Sequence, residues 1–349
     1  MAKIKIQGNA SGTGVLTIEA PNTNTDRTIT LPDSTDTLAG QTQVNRLGGR
    51  KNLIINGGFD VWQRGTSFTN PLTAYTADRW KSRAYNSGVM EKVSRSGTTP
   101  NYLKYSKVGA DGDPYFQQKI EDGGAIYAGK TLTASFEYLH ISGSTDVFQS
   151  GYGFLIQATT SGSSAHYGTT IPSTYEDLGG GWRRYKYTFT LPTTTSGHLT
   201  IGTELNPDTN VTFVIGITNF QLELGDQATE FEHRSYGEEL ALCQRYYQRF
   251  GEVAYVGLAA GVQGSSTTSK MIFVNPVKMR TSPSIGISNL IVTDRTAFDA
   301  DVTNVSGSIT SVHSSFLSVQ HTAAGTNGEG IILTVKNGTT GYLAFDAEL

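Results

Sequence analysis

The chain is short of charge, of cysteine and of long apolar runs, and each shortage closes off a class of function. Only 16% of its 349 residues are charged, and the formal net charge is −3. Polyphosphates and anionic membrane surfaces are bound by clustered Lys and Arg. The two basic runs, RWKSR (residues 79–83) and WRRYK (182–186), read instead as strand-face cations. Neither a nucleic-acid partner nor membrane insertion is expected, and the longest apolar run, VTFVIGI (211–217), is too short to cross a bilayer. The first fourteen residues carry two lysines but no apolar core, so they do not read as a secretory signal. Synthesis in a cytoplasm and a soluble product are expected. The single cysteine, Cys243, cannot form an internal disulfide, and no CxxC or Cys/His cluster offers a zinc site.

Signatures of catalysis are missing as well. There is no GxSxG elbow, Walker loop, HExxH or dinucleotide-type GxGxxG. The six histidines are scattered. His313 and His321 share parity in one expected strand, yet at ~3.3 Å per residue they stand roughly 26 Å apart, too far to share a metal within one chain. A threefold axis could still gather copies of one histidine. Carboxylate pairs of the kind that hydrolyse glycans occur as Asp111/Asp113 and Asp299/Asp301, in turn-like or edge settings where Asp is ordinary. No coil repeat of about twenty residues marks a parallel β-helix. The chain reads as a non-enzyme with no catalytic residue and no cofactor.

What the sequence does have is 40 glycines and many Ser and Thr, the makeup of short strands joined by tight turns. The fold class is mainly β, in four segments. Residues 1–50 hold short β runs (Val15, Leu16, Ile18; Ile29, Leu31; Leu38) with too few apolar side chains for a core of their own. They are expected to serve attachment or oligomerisation. Residues 51–226 alternate with period two. Tyr185, Tyr187, Phe189 and Leu191 share one face, as do Leu132, Ala134, Phe136 and Tyr138. Val211, Phe213, Ile215 and Ile217 are followed by Phe220, Leu222 and Leu224, a parity change that predicts a β-bulge near Thr218 and Asn219. About eight such strands predict a jelly-roll β-sandwich.

Residues 227–250 are expected to hold one connecting helix. Ser235 and Glu238 form a capping box, Gly251 stands at the far end, and Tyr236, Leu240, Cys243, Tyr247 and Phe250 recur as an apolar stripe. The stripe could lie against the chain's own sheets or near a symmetry axis. Residues 251–349 read as further strands and predict a second β-sandwich. Sugar recognition needs flat aromatic faces beside planar polar groups. Trp62, Tyr75, Asp78, Arg79 and Trp80, and further on Tyr152, Tyr167, Tyr175 and Trp182, are the candidates, each in competition with ordinary packing.

Several strings carry a resemblance. NLIINGGF (52–59), the Trp182 strand and NFQLELG (219–225) resemble the jelly rolls of family 4/9-type carbohydrate-binding modules. More specifically, NLIINGGFDVWQRG (52–65) with YTADRW (75–80), and QLELGDQATEFEHRSYGEELALCQRYYQ (221–248), resemble bacteriophage tail-fibre proteins. So do residues 16–40, PVKMRTSPSI (276–285) and the closing LAFDAEL (343–349). The resemblance implies a virion appendage, usually homotrimeric, attached through residues 1–50 to another virion protein. Its last segment would form the distal tip, and its binding partner would be a host surface polysaccharide. Jelly rolls of this type often hold a structural Ca²⁺ near their first and last strands, which would fall to Asp60, Glu223 and Asp226. Two rivals stand beside this reading: a purely structural head fibre or decoration protein, and a glycan-depolymerising tailspike.

Overall fold

Alternation of apolar and polar residues shapes the larger part of the chain. The computed structural model describes residues 51–349, apart from 85–87, 95, 98–99, 110–113, 149–152, 161–162, 168, 207, 209–210 and 297. The N-terminal segment 1–50, Tyr152 and the Asp111/Asp113 pair therefore lie outside the described residues. In chain order the first elements are β1 (Ser67–Thr69), β2 (Ala74–Tyr75), β3 (Lys81–Arg83), β4 (Gly88–Val93), β5 (Tyr102–Lys107) and β6 (Tyr115–Ile120). A one-turn helix α1 (Gly123–Ile126) precedes β7 (Thr131–Gly143), β8 (Gly153–Thr160), β9 (Ser163–His166), β10 (Thr169–Thr170) and β11 (Glu176–Gly179). The run closes with β12 (Trp182–Thr190), β13 (Thr195–Glu204) and β14 (Phe213–Leu224).

These strands make two antiparallel sheets, β1-β4-β5-β14-β7-β12-β11 and β10-β8-β13-β6-β3-β2, with β9 paired to β8. Their inner faces supply one apolar core, as a sandwich requires. Leu132, Ala134, Phe136 and Tyr138 of β7 are buried, and so are Tyr185 and Phe189 of β12 and Phe213, Ile215 and Ile217 of β14. At the centre Phe136 stacks on Phe220 with ring centroids 5.2 Å apart, and Trp80 closes on Phe59 at 4.9 Å. The bulge falls where the parity change placed it. Register on β7 shifts between Thr218 and Gln221, and Asn219 adopts φ 51°. It keeps Phe220 and Leu222 inward, although Leu224, expected on the same side, is 56% exposed.

The helix begins as expected and ends early. Ser235 caps α2 (Tyr236–Gln244), its side chain accepting from the Glu238 N–H at 3.4 Å, and Glu238 and Glu239 lie in the first turn. The chain then closes tightly, the Tyr246 N–H donating to the Cys243 carbonyl at 2.9 Å, and continues as a strand, β15 (Tyr247–Gly251). Tyr247 and Phe250 are thus strand residues, and Gly251 ends a strand rather than capping a helix. The cause is tertiary: Tyr and Phe favour pleated surfaces, and residues 247–251 pair with the last strand. The expected stripe also fails at its start, because Tyr236 is 60% exposed while Glu239 and Cys243 form the buried face.

The remaining strands are β16 (Gly257–Ser265), β17 (Thr268–Val274), β18 (Ser284–Ser288), β19 (Leu290–Thr293), β20 (Asp299–Thr310), β21 (Ser314–His321), β22 (Gly330–Val335) and β23 (Tyr342–Asp346). A second sandwich was expected here. Instead β16-β17-β21-β20-β19-β22 close into a barrel, with β15-β23-β18 as a three-stranded sheet. Closure rests on β20, which the sequence reading treated only as an edge around Asp299 and Asp301. Its pairing to both β19 and β21 joins the ends of the sheet, which removes free edges. Phe250, Phe273 and Phe345 pack where the small sheet meets the barrel, with centroids 4.8 Å apart for Phe250–Phe273 and for Phe273–Phe345.

Candidate functional site

Most of the aromatic candidates near the start of the sandwich turn out to be structural. Trp80 is fully buried and donates its indole N–H to the Asn56 carbonyl at 2.8 Å. Trp62 is buried, with its indole N–H on the Phe59 carbonyl at 2.7 Å. Asp78 and Arg79 are equally inaccessible, at 0% and 1% exposure. These charges are held by the far end of the chain. Arg79 is ion-paired to Glu348, and Arg64 reaches Asp78 (3.8 Å), Asp346 (3.1 Å) and Glu348 (3.5 Å). The two guanidiniums lie on the rings of Tyr246 and Tyr247, each 3.5 Å from the ring centroid. The Tyr75 hydroxyl donates to the Leu349 carbonyl at 2.7 Å, and burial with the nearby Glu348 carboxylate pushes it up to about 12. Burial also drives the Asp78 and Glu348 carboxyls above their usual range, against the pull of both arginines. This cluster is a clamp between sandwich and C-terminal strand, and Asp78, Arg79 and Trp80 are shut away inside it.

The calcium candidates do not converge. Glu223 is saturated by protein donors, accepting from Gln221 Nε2 (2.8 Å), the Thr229 N–H (2.9 Å) and the Thr229 hydroxyl (2.6 Å). Asp60 accepts from Asn101, and Asp226 is exposed. Among the described residues no group of three or more His, Cys, Asp or Glu is placed to hold a metal ion. His321 is buried, its ring nitrogens engaged by Gln263 (3.0 Å) and the Ala323 carbonyl (2.9 Å), and His313 is exposed. Asp301 is ion-paired to Lys336 at 2.6 Å. Burial pushes the Cys243 thiol well up, reinforced by Asp78 and Glu239, which suits an inert side chain.

The outer face of the first sheet is different. Trp182 and Tyr102 meet there edge to face with centroids 5.5 Å apart, both only partly covered. They approach across β14 because residue 216 is glycine: a Cβ there would stand 2.9 Å from the Tyr102 ring and 3.4 Å from the Trp182 ring. Gly216 aligns with Leu139, and Leu139 with Trp182, while on the other side Gly216 aligns with Lys104, two residues from Tyr102, so the two rings reach over the glycine from adjacent rows. One pleat along the same face of β7, about 7 Å away, Glu137 pairs with Arg184 at 3.0 Å, and Arg184 also reaches Glu176 at 3.3 Å. Glu137 is part of the lining of an adjoining hollow of about 610 Å³, with Asp60, Pro100, Asn219, His233, Arg234 and Tyr236. The bulge at Asn219 and the cap of α2 bring these distant residues together. Tyr236 also lines a second hollow of about 300 Å³, with Trp62, Leu240 and Arg249 among its walls.

An aromatic face, planar guanidinium and carboxylate groups and an open hollow make a surface suited to a polar ring with one apolar side. Of the sugar-stacking candidates among the described residues only Trp182 belongs to it, and Asp60 and Tyr236, named from the sequence for calcium and for helix packing, line its hollow. Tyr175 lies beyond, 45% exposed and under the Arg183 guanidinium at 4.5 Å, and Tyr167 bonds its hydroxyl to Thr160. Tyr236, expected in the helix's packing stripe, is exposed at the hollow instead, and Tyr102, Glu137 and His233 were missed. Their one sequence signal is Gly216, a residue without a side chain inside an otherwise bulky alternating run.

No family model matches the chain, and no curated protein matches it. Among solved structures it is similar to a xylan-binding domain from CBM 22 (15% identity, 47% of this chain and 98% of that one, TM-score 0.30). It is also similar to the N-terminal CBM22-1-CBM22-2 tandem domain from Paenibacillus barcinonensis Xyn10C (10% identity, 83% and 98%, TM-score 0.32). A third is the enzymatically active domain of bacteriophage CBA120 tailspike protein 4 (12% identity, 50% and 21%, TM-score 0.31).

Proposed function

We propose that this chain is a non-enzymatic glycan-binding protein of a bacteriophage fibre, acting in adsorption to a host-surface polysaccharide. The observation that carries the binding reading is the Trp182–Tyr102 pair, laid open over Gly216 beside the hollow of about 610 Å³. A pyranose stacks its C–H face on such rings, while Glu137 and Arg184, already fixed by each other, present acceptor and donor to its hydroxyls. The fibre assignment is supported by the strings around residues 52–80 and 221–248, which resemble tail-fibre sequences. Binding rather than cleavage is favoured by the state of the carboxylates at the hollow, for Glu137 is committed to Arg184 and Asp60 to Asn101. A glycosidase needs one carboxylic acid free to give its proton. Each site would be weak, and a homotrimer, as the resemblance implies, would raise affinity through multivalency.

The test is a glycan array read with the wild-type protein and with Trp182→Ala. Loss of one stacking platform is expected to weaken binding about fivefold, in line with aromatic contacts of about 1 kcal/mol beyond simple burial. A flat array for the wild-type protein would leave the structural-fibre reading in its place, and new reducing ends on incubation with polysaccharide would overturn the non-enzymatic one. Light scattering on the same sample tests the trimer.

A further inference from the structure

We propose a second binding site at one end of the barrel, formed by Tyr255 and Arg295 and fitted to a carboxylate-bearing sugar. It goes beyond the sandwich site and does not depend on it. Two turns meet there, the 252–256 turn leading into β16 and the 294–298 turn between β19 and β20. Their backbone is strained at non-glycine positions: Glu252 has φ 73°, Tyr255 φ 63° and Arg295 φ 66°. Left-handed backbone is costly for a bulky side chain and persists only where surrounding contacts impose it. Here they do. The Tyr255 N–H donates to the Val335 carbonyl (3.1 Å), while the Val256 carbonyl accepts from the Val335 N–H (3.2 Å) and the Thr334 hydroxyl (2.9 Å). On the other turn Asp294 Oδ1 accepts from the N–H groups of Thr296 (2.7 Å) and Phe298 (3.0 Å), and the Arg295 N–H donates to the Thr293 hydroxyl (2.8 Å).

The strained residues are the ones left open to solvent. Tyr255 is 49% exposed, Val253 63% and Val256 37%, and Arg295 is exposed beside them. Arg295 donates to the Tyr255 carbonyl at 3.2 Å and has no carboxylate partner among the described residues. Its guanidinium stands over the Tyr255 ring at 5.9 Å from the centroid, the outer reach of a cation–π contact, against 3.5 Å where Arg64 and Arg79 lie on Tyr247 and Tyr246, so the ring is covered far more loosely. A half-exposed aromatic ring, flanking apolar side chains and an adjacent guanidinium without a carboxylate partner among the described residues together match a sugar ring that carries a carboxylate. Packing alone would be served better by glycine at Tyr255 and Arg295.

Saturation-transfer NMR on the full chain in the Trp182→Ala background, which weakens the sandwich site, tests this with methyl glucuronide, N-acetylneuraminic acid and methyl glucoside. A carboxylated sugar is expected to bind in clear preference to the glucoside. Arg295→Gly should weaken that binding about tenfold or more, the loss of a charge-assisted pair, and Arg295→Lys should weaken it less. Arg295→Gly should also leave the melting temperature unchanged or raise it, because glycine relieves the left-handed strain. Equal response to all three sugars, or carboxylate binding undiminished in Arg295→Gly, would overturn the site. A melting temperature lowered by Arg295→Gly would overturn the argument from strain, making residue 295 a structural post.

Discussion

Glu348→Ala is expected to destabilise the protein by about 3–5 kcal/mol, the cost of leaving a buried cation without its counter-charge. Arg79 is 1% exposed and ion-paired to Glu348, and Arg64 lies 3.5 Å from the same carboxylate. Chemical denaturation followed by tryptophan fluorescence measures the loss. The double variant Arg79→Met with Glu348→Leu should recover most of it, because apolar residues of similar volume can replace a buried ion pair at little cost. Equal destabilisation by the single and double variants would mean that packing, not charge, holds the clamp. The pH dependence has a definite sign. Burial raises both the Asp78 and Glu348 carboxyls, so the folded state holds their protons more tightly than the unfolded chain does. Their contribution is fully present below the unfolded carboxylate range and is lost as pH rises through the raised values. Arg64 and Arg79 stand among Asp78, Asp346 and Glu348, and Lys92 also acts on Asp78. Raising the pH through those raised values should therefore lower the melting temperature, and the same scan on the Arg79→Met/Glu348→Leu double variant, where the Glu348 share is absent, should show a smaller fall.

Trp80→Ala should cost about 3–5 kcal/mol, the range for removing a buried aromatic side chain. The ring is fully buried, touches Phe59 and Phe220 (5.2 Å), and its N–H satisfies the Asn56 carbonyl. Trp182→Ala, on a partly open face, should stay near the wild-type denaturation midpoint while losing glycan affinity. The contrast matters for reading binding data: a Trp80 variant that fails to bind reports unfolding, and only the Trp182 variant reports recognition. A Trp80→Ala protein with an unchanged midpoint would show that the core closes without it.

The strands of the sandwich were legible because two-residue alternation survives in them almost unbroken, as at Tyr185 and Phe189. The bulge was legible because a change of parity has no other economical cause. The start of α2 was written in Ser235 and Glu238. Its end was not, since in YYQRFG (246–251) the same residues satisfy a helical spacing of three and a strand alternation. What decides is pairing with residues 342–346, almost a hundred positions on. The site suffered from the same kind of distance. Asp78, Arg79 and Trp80 look like an exposed polar-aromatic loop until Glu348 covers them, and Trp182 looks like packing until Gly216 is seen to leave its ring uncovered. Tyr236 misled in the opposite sense, its helical spacing suggesting burial where the structure leaves it open.

The place of β23 between β15 and β18 sets an order of assembly during synthesis. The last described strand of the sandwich ends at Leu224, so once it clears the exit tunnel that body can collapse as an independent unit while the barrel is still being made. The central strand of the small sheet emerges more than a hundred residues later. Until then Arg64 and Arg79 wait without the Glu348 carboxylate, and the nascent sandwich and the growing barrel remain unlocked. Ribosome-stalled chains ending near residue 330 should present a finished first body to protease and a second one still open to cutting.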